Sequence, residues 1–172
     1  MKRRAVMCIL ILVCTLLQCT VFQIFAIASI RPNILLILTV SFGLMRGKKS
    51  GLWVGFFCGA ARDLFFESTL GMQALLYLWI GYGAGCFYRI FYDDDIKTPL
   101  LLVSLADLAY GTAVYILQFL IRGRVHFFYY LRRIMIPEML YTIFLTFPLY
   151  RIFYRIEHSL EKSDKRSLNG FV

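Results

Sequence analysis

The chain has 172 residues, of which 60% are hydrophobic, 17% aromatic and only 17% charged, with a mean hydropathy of +0.70. Soluble domains carry about 45–50% apolar residues, so this composition excludes a water-soluble globular domain, and the length leaves room for one compact unit. The formal net charge of +9 sits in short polar gaps between apolar runs, a pattern that orients a membrane protein or meets anionic lipid and does not suit nucleic acid.

A helix needs about 20 mostly apolar residues to cross a hydrocarbon core of about 30 Å. The first apolar run, Ala5 to about Ile30, follows Lys2-Arg3-Arg4 and predicts the first such helix. Ala26-Ile27-Ala28 also has the small-x-small form of a signal cleavage site, but the run exceeds a usual signal core and further apolar runs follow it. Pro32-Asn33 opens a second segment to about Met45, and the basic turn Arg46-Gly47-Lys48-Lys49-Ser50 leads into a third, Gly51 to about Phe66. Both are short for a full crossing: they span a thinned region or form a re-entrant hairpin. A fourth segment runs from about Met72 to Tyr92, and Asp93-Asp94-Asp95 follows it. Pro99 starts a fifth reaching about Ile121, and a sixth runs from Ile134 to about Tyr154. Residues 1–155 are therefore expected to form an all-α, polytopic membrane bundle of about six transmembrane helices, and residues 156–172 a polar, disordered cytoplasmic tail.

With six crossings, the loops and tails on the side of the termini carry 13 of the 19 Lys and Arg residues, against five on the other side, with Arg62 inside the membrane. The positive-inside rule then places both termini in the cytoplasm. The fifth loop runs against this, with Arg122, Arg124, Arg132 and Arg133 around the aromatic run Phe127-Phe128-Tyr129-Tyr130. It lies in the outer interface or meets a partner.

The third segment places Gly51, Gly55, Gly59 and Asp63 at four-residue spacing on one helical face. Small residues at that spacing let another helix approach closely, which supplies association energy where lipid removes the hydrophobic drive. The face serves either packing within the bundle or a seam for another protein. Arg62 and Asp63 are neighbours, so their side chains diverge by about 100° on a helix and each needs another partner. Asp107 falls in the middle of the fifth segment. A carboxylate there must face the bundle interior or be protonated, and Arg62 or a third-helix backbone donor is its expected partner. Glu138 and Tyr141 are candidate polar anchors of the sixth segment.

Chemistry of the enzymatic kind finds little footing. His126 and His158 are far apart in sequence, and neither a GxGxxG nor a Walker pattern occurs. Cys8, Cys14, Cys19, Cys58 and Cys86 lie in apolar stretches without metal-site or disulfide spacing. No cofactor and no metal are expected.

Between Pro32 and Gly85 the order of residues resembles the bacterial rod shape-determining MreD family. The resemblance is carried by Pro32-Asn33-Ile34-Leu35-Leu36, Gly43-Leu44-Met45-Arg46-Gly47, Gly51, Gly55-Phe56-Phe57-x-Gly59, Asp63, Leu70-Gly71, Tyr77 and Gly81-Tyr82. The chain departs from the family in carrying Asn33 where Asp is frequent and Thr142 where Asn is frequent. The resemblance implies a fold similar to the S components of energy-coupling vitamin transporters. It also implies a non-catalytic component of the wall elongation complex in the cytoplasmic membrane. The partners it implies are an MreC-like single-span protein, a RodA-type glycosyltransferase, a penicillin-binding transpeptidase and MreB filaments. A substrate-binding component of a small-molecule transporter is the alternative.

Overall fold

The computed structural model describes residues 2–24, 32–66, 71–89, 97–117 and 127–169. Among these the regular structure is entirely helical: α1 (Lys2–Ile24), α2 (Ile34–Arg46), α3 (Lys48–Phe66), α4 (Met72–Cys86), α5 (Lys97–Tyr115), α6 (Phe127–Tyr130) and α7 (Ile136–Asn169). A 3-10 turn, Phe87–Arg89, follows α4, and a π-helical turn, Leu131–Met135, joins α6 to α7.

The side-chain contacts fix how the helices run. Gln18 and Met7 of α1 reach Leu35 and Arg46 of α2, so these two helices are antiparallel. On α2, Asn33, Phe42 and Arg46 meet Thr142, Phe153 and Glu157, an almost constant offset that makes α2 and α7 parallel. Gly51, Gly55 and Gly59 of α3 lie on Gly81, Tyr77 and Ala74 of α4, which makes that pair antiparallel. Asp107 and Gly111 of α5 face Thr142 and Met135, antiparallel to α7. Helices α1, α3 and α5 thus run one way, and α2, α4 and α7 the other.

α2 is the centre of the bundle, with every residue from Ile34 to Leu44 buried. A helix apolar all round must be enclosed on all sides, and α1, α3, α4, α5 and α7 enclose it. Its ends are set by local chemistry. Asn33 caps the start, its Oδ1 accepting from the Leu36 N–H at 3.3 Å, while Gly47 at φ +83° ends the helix and lets α3 begin at once.

The outer helices turn polar or small residues inward and large apolar residues outward. α1 turns Cys14, Thr15 and Gln18 inward and Ile9, Leu12 and Leu16 outward. α7 buries Thr142 and Thr146 and leaves Leu140 and Phe144 outside, the latter 76% exposed. α3 buries its glycines and Asp63 and presents Trp53, Phe57, Leu64 and Phe65. Such an arrangement suits a hydrocarbon solvent, where buried polar groups bond across helices and large apolar chains face lipid.

Of the spans expected from the sequence, helix length and composition alone single out one, and the reading of the tail changes. By length and composition, α5 is the one helix among the described residues that passes as a membrane span on its own, with Ala5–Thr20 and Ile34–Arg46 as shorter apolar stretches. The thirteen residues of α2 rise only about 20 Å. The segment read as a disordered tail also differs: α7 continues as helix to Asn169, because the backbone pattern that starts in the bundle meets no glycine or proline between Pro148 and Gly170. The acidic turn Asp93–Asp95, Arg122 and Arg124 lie outside the described residues.

Candidate functional site

Polar side chains collect at the two ends of the bundle. At one end Arg46, the last residue of α2, donates from Nε to Glu157 Oε1 of α7 at 2.7 Å and from Nη1 to the Met7 sulfur of α1 at 2.6 Å. Its guanidinium also lies 5.8 Å from the Phe42 ring centroid. A cation at a helix C-terminus is favoured by the helix dipole, and here it ties three helices together.

The opposite end is richer. Asp63 closes the glycine face of α3, is 2% exposed and accepts three backbone N–H bonds from the start of α4. Its Oδ2 accepts from Gly71 and Ala74, both at 3.0 Å, and its Oδ1 from Gln73 at 3.1 Å. α4 has no capping side chain of its own, since Gly71 stands at its N-cap with φ +97°. A carboxylate from the neighbouring helix performs that role, in the position where orphan N–H groups and the dipole both favour negative charge.

Arg62, one residue earlier, points elsewhere. Its Nη1 donates to the Tyr77 hydroxyl at 3.1 Å, and its guanidinium lies 5.2 Å from the Tyr110 ring centroid. Tyr77 is wholly buried; its hydroxyl donates to Asn33 Oδ1, and its ring meets Tyr110 edge to face at 5.4 Å. Tyr110 donates to Gln73 Oε1 at 2.7 Å. The Asn33 N–H reaches Thr142 Oγ1 at 3.4 Å, and that hydroxyl donates to the Glu138 carbonyl at 2.8 Å. Asp107, 5% exposed, faces Arg62, Glu138 and the Thr142 hydroxyl. One continuous polar cluster therefore links α2, α3, α4, α5 and α7.

The residues singled out in the sequence distribute as follows. Gly51, Gly55 and Gly59 face the backbone of α4, and Asp63 caps that helix. Gly43 and Gly81 belong to the same close approach, a Cβ on Gly43 falling 3.0 Å from both the Ala84 Cβ and the Gly81 carbonyl. Pro32 and Asn33 precede α2, Arg46 and Gly47 end it, and Gly71 opens α4. Arg62 and Asp107 join one cluster, Arg62 donating to the Tyr77 hydroxyl and Asp107 facing Thr142. Sequence reasoning passed over Gln73, Tyr110, Gln18 and Glu157. The glutamines were detectable as uncharged polar residues within apolar runs, whereas a tyrosine in such a run reads as an ordinary aromatic filler. Among the described residues no group of three or more His, Cys, Asp or Glu is arranged to hold a metal.

Comparison with known proteins gives one match. The family model described as rod shape-determining protein MreD covers residues 1–157. No curated protein and no solved structure matches the chain.

Proposed function

The chain belongs to the MreD family of rod shape-determining proteins, which are bacterial membrane proteins, and from that premise we propose that it is a non-catalytic scaffold of wall elongation. In this reading it crosses the cytoplasmic membrane six times with both termini inside, and docks an MreC-like single-span protein. It thereby connects to a RodA-type glycosyltransferase, a penicillin-binding transpeptidase and MreB filaments during peptidoglycan synthesis. An S-component-like fold belongs to the same proposal.

The observation that carries the reading is the use made of the polar side chains. Asp63, Arg62, Tyr77, Asn33, Tyr110, Gln73 and Thr142 bond to one another or to backbone, which holds five helices in register and leaves large apolar faces outward. Rigid helices with outward apolar faces suit docking of other membrane helices. The alternating run of the helices, with Met7 and Glu157 on the same Arg46, supports an even number of crossings. Since α4 covers the glycine seam, partner contact falls to other faces, such as that of Trp53 and Phe57 on α3.

Crosslinking and pull-down from native membranes tests the reading. Recovery of a single-span partner and wall-synthesis proteins is expected, and their consistent absence refutes the scaffold. A C-terminal reporter fusion should be active only in the cytoplasm; periplasmic activity would overturn the topology.

A further inference from the structure

We infer that the polar cluster at the Asn33 end of the bundle is a binding site for one hydroxyl oxygen, supplied by solvent water or by a small hydroxylated molecule. The inference goes beyond the scaffold role and does not depend on it. Three polar atoms of the cluster have no hydrogen-bond partner among the described residues: Asn33 Nδ2, Arg62 Nε and Asp107 Oδ1. Asn33 is 0% exposed and Asp107 5%, and the Nε atom of the half-buried Arg62 is itself enclosed. Buried polar groups are almost always satisfied by protein or by an ordered oxygen.

The three belong to one place. The Tyr77 hydroxyl bonds both the Arg62 guanidinium and the Asn33 carboxamide. The Thr142 hydroxyl bonds the Asn33 backbone and faces Asp107, while Arg62 and Asp107 attract one another. The two donors and the acceptor belong to Asn33 before α2, to α3 and to α5, which the Tyr77 and Thr142 hydroxyls connect.

That set selects the chemistry of the occupant. A hydroxyl oxygen accepts two hydrogen bonds and donates one, which matches two donors and one acceptor. An ammonium group only donates and would face Arg62 as a like charge. A carboxylate or phosphate only accepts and would offer no proton to Asp107 Oδ1. Buried waters typically make about three hydrogen bonds, the number offered here.

The full-length protein in lipid nanodiscs, exposed to pulsed X-rays, tests the site, since hydroxyl radicals formed from a bound water oxidise the side chains beside it. Tyr77 should be oxidised several-fold more than Phe42 and Phe153, which are equally enclosed, after correction for intrinsic reactivity. Asp107→Asn, which keeps an acceptor, should retain the excess, and Asp107→Leu should lose it. If Asp107→Leu fails to accumulate, the wild-type comparison stands alone. Tyr77 oxidised no more than the phenylalanines, together with a small hydroxylated molecule released on denaturation and detected by mass spectrometry, assigns the oxygen to a ligand. Neither signal, or a high-resolution map in which the chain's own side chain meets the three atoms, overturns the inference.

Discussion

Replacing Gly59 by Ala adds one methyl group where α3 rests on α4. The new Cβ falls 2.5 Å from the Ala74 Cα, 2.6 Å from the Gln73 carbonyl oxygen and 2.8 Å from the Ala74 nitrogen, all backbone atoms with no rotamer to yield. Ordinary contact begins near 3.4 Å, so the helices must part by about 0.9 Å, a gap that forfeits about a quarter to a half of each dispersion well it opens. A seam with about as many atom pairs as a buried leucine, about 50 at ~0.15 kcal/mol each, loses about 2–4 kcal/mol. The better helix propensity of Ala returns up to about 1 kcal/mol. The net cost is about 1–3 kcal/mol, in the range of overpacked cores. Reversible unfolding of purified protein in mixed micelles, followed by far-UV circular dichroism, measures it. Gly83→Ala on α4 is the control: nothing lies within 4 Å of its added Cβ, so it should be neutral or stabilising. Equal shifts for Gly59→Ala and Gly83→Ala would refute the steric argument, and Leu at Gly55 or Gly59 should deplete the protein from the membrane.

The same unfolding assay reaches the polar ends. Asp63→Asn keeps one acceptor oxygen but replaces the other with a donor facing backbone N–H groups; a loss of about 1–2 kcal/mol is expected, with faster amide exchange at Gln73 and Ala74. Unchanged exchange there would show that the carboxylate is not the cap of α4. Arg46 and Glu157 are only 14% and 13% exposed, so a double-mutant cycle should give a coupling above the roughly 0.2–1 kcal/mol of solvated pairs. A coupling near zero would contradict the tie between α2 and α7. Asp107→Ala should destabilise by about 3–5 kcal/mol if it strands the buried guanidinium, and far more than Asp94→Ala; matching melting temperatures for the two would remove Asp107 from the cluster.

Periodicity made the α3 face legible: three glycines and an aspartate at four-residue spacing can only share a side of a helix. The diverging directions of Arg62 and Asp63 also required separate partners, and they have them in Tyr77 and the α4 N–H groups. What the spacing could not supply was the facing surface. Tyr77, Gln73 and Tyr110 sit on α4 and α5, and the contact that unites them with Arg62 depends on how helices cross, not on order within any one helix. Asn33 and Thr142 each mark a departure from the resemblance, and they lie 109 residues apart in sequence yet touch. The reach of α7 was hidden for another reason. Beyond Arg155 its residues are polar and of mixed charge, a composition shared by disordered tails and by helices that leave a membrane.

That reach has a mechanical side. From Glu157 the helix continues for twelve residues to Asn169, about 18 Å of rod at 1.5 Å per residue. Its base is gripped twice by α2, through Phe42 on Phe153 and Arg46 on Glu157, so the rod takes its heading from the most enclosed helix of the molecule. A tilt of about 5° at the grip moves the tip by about 1.6 Å over that length. A small rearrangement deep among the helices is thereby enlarged at the far end of α7.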